Sequence, residues 1–156
     1  LDLEGFSVNS DGSLVLAGFT GVMERGSLLQ SSTLNKQFMR DGYYFVHLSK
    51  DLEVLSENQH TFDADFFSNG EKQLAQNKIE RQSAKGKSLA SPILNHRDLI
   101  KAEDGYYLIG EEAQVSSSVN AEGKRENKKF NGTIYTIRIS ENGEFKECVK
   151  AFRKVM

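Results

Sequence analysis

One cysteine, one proline and no tryptophan occur among 156 residues. A lone thiol, Cys148, builds no disulfide framework and no cysteine-rich metal centre. It lies in the alternating stretch Phe145-Lys146-Glu147-Cys148-Val149 and reads as a small buried hydrophobe. No apolar run approaches the ~18 residues that a membrane-spanning helix needs. Charge of one sign is also lacking: 20 Lys and Arg oppose 22 Asp and Glu, a net charge of -2. That balance argues against nucleic acid as a partner, because phosphate binding demands a positive field. The chain begins at Leu1 without an initiator methionine or a basic, apolar leader. A processed product or an excised piece is expected. The length suits one domain with its own core, or part of a larger one.

An internal repeat is present. Asp11-Gly12-Ser13-Leu14-Val15-Leu16-Ala17-Gly18 matches Asp104-Gly105-Tyr106-Tyr107-Leu108-Ile109-Gly110, one residue shorter. His47-Leu48-Ser49-Lys50-Asp51-Leu52-Glu53-Val54 matches Arg138-Ile139-Ser140-Glu141-Asn142-Gly143-Glu144-Phe145. Similarity at a fixed period marks a repeated supersecondary unit. The units span 3–62 and 95–153, with 63–94 as connector.

Each unit reads as four antiparallel strands. In the first these are Phe6–Val8, Leu14–Phe19, Tyr43–Ser49 and Glu53–Glu57. In the second they are Asp98–Lys101, Tyr106–Gly110, Ile134–Ser140 and Glu144–Ala151. Asn142-Gly143 predicts a type I′ turn with positive φ at both residues. The inner strands are apolar on both faces and need cover on both sides. The expected fold is mainly β: two blade-like repeats with one short helix between them. Ser68-Asn69-Gly70-Glu71 has capping-box spacing and places that helix at about 70–84.

Asp-Gly-(apolar)-Gly, a long loop, then an apolar strand ending in Ser-x-x-Gly-x-(apolar) resembles bacterial β-propeller-type repeats. Residues 95–111 look most like those of uncharacterised exported bacterial proteins. The resemblance covers roughly two thirds of the chain and implies fold without activity. It also implies a periplasmic or secreted setting. Propellers close with about four to eight blades, and this chain supplies two: either it is part of a longer propeller, or its two sheets pack on each other as a sandwich. Its outer faces are therefore expected to be covered, by further blades of a longer chain or by self-association.

A four-stranded meander puts the first-second and third-fourth turns at one end. The long segments 20–41, 63–94 and 112–131 then share the other end. Long connections are usually functional or disordered. Segments 21–41, 63–93 and 112–131 carry 12 Lys and Arg against 9 Asp and Glu. Lys124, Arg125, Lys128 and Lys129 are the densest cationic cluster. With Glu112 they are the candidate binding residues, suited to an acidic protein surface or an anionic glycan.

Catalytic signatures are scarce. No Gly-x-Ser-x-Gly, phosphate loop or His-Glu-x-x-His occurs. His96-Arg97-Asp98-Leu99 matches the start of a kinase catalytic loop, but Glu103 stands where that motif needs Asn. His47, His60 and His96 are far apart in sequence and predict no zinc site. Asn9-x-Asp11-Gly12 lacks the later ligands of a calcium loop. Glu111 and Glu112 point to opposite faces of a strand. The reading is a non-catalytic binding or scaffolding module, with no cofactor and no metal. The alternative is a propeller-type hydrolase gathering Asp63, Asp65 and Glu112 from its loops.

Overall fold

The computed structural model describes residues 5–23, 38–87, 89 and 94–152. The first unit holds β1 (Gly5–Val8), β2 (Leu14–Met23), β3 (Phe38–Leu48) and β4 (Val54–Thr61). The connector holds α1 (Ala64–Ser68) and α2 (Gln73–Ala84). The second unit holds β5 (Leu94–Ala102), β6 (Gly105–Val119), β7 (Arg125–Ser140) and β8 (Phe145–Ala151). Each unit is one four-stranded antiparallel sheet with its strands in chain order.

The hairpin at 47–56 recurs at 138–147. Ser49 N–H donates to Glu53 O at 2.8 Å, and Ser140 N–H donates to Glu144 O at 2.9 Å. The Ser49 and Ser140 hydroxyls each accept a second bond, from the N–H of Glu53 and Glu144. A register shift follows in both, between His47 and Leu48 and between Arg138 and Ile139. The turn is not type I′: of its residues only Gly143 has positive φ, at 87°. Gly143 N–H donates to Ser140 O at 3.0 Å, closing a three-residue turn whose last position is left-handed. The extra residue removes the need for positive φ at Asn142.

The first unit puts Leu52 at that left-handed position, with φ 65°. A side chain there costs about 1 kcal/mol relative to glycine. Leu52 is 68% exposed, so little packing is lost with it. Leu52→Gly is expected to raise the urea midpoint, by about 0.5–1 kcal/mol of stability. A lowered midpoint would contradict the strain.

Pairing register shows how the sheets meet. Leu48 pairs with Leu14 and Val54; Ile139 pairs with Tyr106 and Phe145. Leu48 and Ile139 are thus equivalent, as are Leu14 and Tyr106. Yet Ile139 and Tyr106 are buried at 0% and 1% exposure, while Leu14 and Leu48 are half-exposed. The first unit instead buries the alternate positions Val15, Ala17, Tyr43 and Phe45. The two repeats present opposite faces to the core.

Ring contacts agree. His60 of β4 stacks on Phe145 of β8 with centroids 4.6 Å apart, and Phe45 of β3 lies 5.6 Å from Tyr106 of β6. At the other edge, Gly5 of β1 packs against the His96 ring of β5, where a Cβ would not fit. The tight turns of both units share one end, where the Tyr106 hydroxyl lies 2.8 and 3.0 Å from the two polar atoms of the Asn9 amide. Strand order and direction are both kept between the sheets. Only a face-to-opposite-face stack allows this, which is the arrangement of successive blades.

The connector departs from the single helix expected over 70–84. Asp63 caps α1 by accepting from Phe66 N–H at 2.8 Å, and Phe66 enters the core between Phe62 and Tyr135. Ser68 and Glu71 form no capping box, and Lys72 begins α2 without a side-chain cap. The backbone of Ser68 and of Glu71 is bonded instead by the Gln76 amide.

Candidate binding surface at the long-connection end

The end opposite the tight turns is not made of loops alone. Segment 112–131, expected as a loop, is mostly an extension of β6 and β7 into a hairpin arm. Its pairs run from Ala113 with Asn131 to Val119 with Arg125, after a register shift at Glu111/Ala113. The turn repeats the three-residue pattern, with Gly123 at φ 75°. The Asn120 side chain accepts from the N–H of Glu122 and of Lys124, at 3.1 and 2.9 Å. Paired backbone groups stabilise the arm, whose sequence is mostly polar. The 20–41 segment is likewise strand at both ends, through Met23 and from Phe38; residues 24–37 lie outside the described residues.

The arm divides the candidate residues. Lys124 sits in the tip turn, 3.7 Å from Glu122, with both side chains largely exposed. Arg125, Lys128 and Lys129 pair in register with Val119, Ser116 and Val115 along the arm. Glu112 stays at its base, three residues from Val115, the partner of Lys129, and seven from Val119, roughly 10 and 23 Å at ~3.3 Å per residue. The arm therefore spreads the cluster along its length, with Lys124 and Arg125 far from Glu112.

Glu112 belongs to another group. It accepts from the Tyr135 hydroxyl at 3.4 Å. Lys150 lies nearby, its Nζ donating to Phe67 O at 2.9 Å and standing 5.2 Å from the Tyr135 ring centre. Burial raises the Glu112 pKa, and Glu71 adds repulsion, against the bond from Tyr135 and the charge of Lys150. Burial likewise lowers Lys150, against Glu71 and Glu112. Burial also pushes the Cys148 thiol up to about 11, as suits a half-buried residue packed on the core.

A glutamate raised above its ordinary value near 4.5 binds protons more readily when folded. Its contribution is therefore lost as pH rises from about 4.5 through the folded value. Glu112→Gln is expected to stabilise the chain at neutral pH, with the gain shrinking towards pH 4. Thermal melts across that range test it. A variant less stable than the parent at pH 7 would show that attraction to Lys150 outweighs burial.

A further cationic surface lies on α2. None of its side chains is buried, and Leu74 is 85% exposed. A cleft of about 360 Å³ is lined by Leu74, Asn77, Lys78, Arg81, Gln82, Lys85 and Lys87. Lys78 and Arg81 lie on α2 itself. The turn after α2 brings Lys85 and Lys87 to the same cleft, which helical periodicity does not show.

At the tight-turn end, Asp11 accepts from Ser13 N–H at 2.9 Å and from the Ser13 hydroxyl at 2.7 Å, and His47 Nε2 lies 3.0 Å from that hydroxyl. Ser13 is 3% exposed, so the group locks the first turn and presents no accessible nucleophile. Among the described residues no three His, Cys, Asp or Glu converge as metal ligands. Comparisons with protein-family models, curated proteins and solved structures give no match.

Proposed function

We propose that the chain is a non-catalytic binding or scaffolding module whose long-connection end receives an anionic ligand. The observation that carries this reading is the α2 cleft, where Lys78, Arg81, Lys85 and Lys87 line one concavity. The basic run Lys124–Lys129 on the hairpin arm adds positive charge from a second segment. A net charge of -2 over the whole chain makes this concentration of cations local. Two of the three carboxylates of the hydrolase alternative already hold structural bonds: Asp63 caps α1 and Glu112 accepts from Tyr135. That favours binding over hydrolysis. An exported bacterial setting is part of the same proposal and rests on the turn pattern.

Binding to heparin and to polyglutamate, followed by calorimetry at low and moderate salt, tests the reading. Heparin alone would indicate a sulfated glycan; polyglutamate would indicate an acidic protein surface. Lys78→Glu with Arg81→Glu is expected to weaken binding at least tenfold, and added salt to weaken the parent. Failure to bind either polyanion, or equal binding by the variant, would overturn it.

A further inference from the structure

The two repeats mate through faces of different kind. The first unit contributes Val15, Ala17, Tyr43 and Phe45, while the second contributes Leu99, Tyr106, Leu108 and Ile139. Each of these has an equivalent on the other unit's open face, fixed by the pairing registers. Phe6 pairs with Leu16 as Leu99 pairs with Leu108, and Leu14 with Leu48 as Tyr106 with Ile139. The open face of the first unit is thus a second example of the face the second unit buries. Conversely, Ile134 and Thr136 of the second unit's open face stand where the first unit has Tyr43 and Phe45.

Both open faces carry exposed apolar side chains beside charged ones. On the first unit Phe6 is 70% exposed, Val8 63% and Val54 61%, beside half-exposed Leu14, Leu16 and Leu48. On the second, Ile100 is 48% exposed, Ile134 39% and Val149 59%, beside half-exposed Tyr107 and Ile109. The ion pairs of Arg138 with Asp104 and Glu147 and of Arg97 with Glu111 lie on that surface beside Tyr107 and Ile134. Among the described residues nothing covers either face, although the core shows that faces of these two kinds pack on each other.

We propose that the open face of the first unit docks the open face of the second unit of another copy of this chain. The contact is head-to-tail, and continues the stacking seen between the two repeats. Heterologous contacts close into rings when their rotation allows. About four to eight blades close a propeller, so two to four copies of this two-sheet chain complete one. The internal interface specifies the occupant: it joins faces of the two kinds that the open surfaces repeat. Pairing of two identical first-unit faces across a two-fold axis would not reproduce that match.

Sedimentation of the full chain over a wide range of concentration is expected to show a discrete species of two to four copies. Phe6→Arg and Ile134→Arg each place a charge on one open face, at side chains already partly exposed. Each variant alone is expected to sediment as a monomer with its circular dichroism unchanged. An equimolar mixture is expected to form a heterodimer, because each variant keeps the face the other has lost. Should either variant fail to fold, Val8→Lys or Val149→Lys replaces it on the same face. A parent chain monomeric at every concentration would overturn the proposal. So would an Ile134→Arg variant that assembles like the parent, which would indicate two-fold pairing through the first unit alone.

Discussion

Gly143→Val is expected to destabilise the protein by about 3–4 kcal/mol, measured by urea unfolding. Two costs combine at this residue. A φ of 87° is open to glycine and resisted by a β-branched side chain, at about 1–2 kcal/mol. The position also faces the other sheet. A Cβ there would lie 2.5 Å from the Phe45 ring and 2.9 Å from the Asn58 Cβ. Forcing atoms into so close a contact costs about 1–3 kcal/mol more. The Tyr43 hydroxyl also donates to Gly143 O at 2.9 Å, so a shift of the turn disturbs a buried bond. Gly123 is the control: its φ is 75°, and a Cβ would meet nothing within 4 Å. Gly123→Ala is expected to cost only about 1 kcal/mol, from backbone conformation alone. Equal losses at both positions would show that the Gly143 turn does not press on the first sheet.

Phe66→Ala is expected to cost about 3–5 kcal/mol, the range for a buried phenylalanine truncated in a core. Phe66 is 5% exposed. Its ring stacks on Phe62 at 3.7 Å between centroids and lies 5.7 Å from Tyr135. It therefore ties the connector to both sheets, since Phe62 follows β4 and Tyr135 belongs to β7. Lys150 Nζ lies 5.6 Å from the same ring, adding a partly buried cation–π contact. Truncation would admit water beside Lys150 and Glu112 and move both pKa values towards their ordinary ranges. A loss below about 1 kcal/mol by chemical denaturation would mean that α1 is an appendage and not part of the core.

The contrast between these residues shows where the sequence was informative. Turns at 10–12, 50–52, 103–105 and 141–143 were legible because Gly, Asp and Asn serve turn geometry wherever the strands lie. The repeated meander followed from them, at offsets that the hydrogen bonds of Ser49 and Ser140 reproduce. The turn type at Gly143 was not legible, since Asn-Gly suits two geometries and strand register selects between them. The α1 helix was missed because five residues carry no periodicity, and Phe66 owes its conformation to the rings around it. The hairpin arm was missed because Ser116, Ser117 and Ser118 offer no apolar alternation. Cross-strand bonds alone define it.

Which face of each sheet meets the core was the least legible feature. Leu14-Val15-Leu16 and Tyr106-Tyr107-Leu108 are apolar at every position, so alternation cannot distinguish inside from outside. The same property lets the first repeat bury Val15 and Ala17 while the second buries Tyr106 and Leu108, the equivalents of Leu14 and Leu16. At the candidate site, Lys124, Arg125, Lys128 and Lys129 were visible as a run, whereas the grouping of Lys85 and Lys87 with α2 depends on how the chain turns after the helix. Glu112 was singled out as a loop carboxylate. Its pairing with Tyr135 and Lys150 required the register of three strands.

Nuclear Overhauser contacts between aromatic side chains test the stack most directly. Order-preserving, opposite-face packing requires proximity of His60 to Phe145, of Phe45 to Tyr106 and of Phe66 to Tyr135. Spectra of the folded chain with selectively labelled aromatic rings are expected to show all three sets of cross-peaks. A sandwich with like faces joined by a two-fold axis along the strands would lay β1 over β8 and β4 over β5. Cross-peaks from His60 to Ile100, with none from His60 to Phe145, would contradict the blade-like stack.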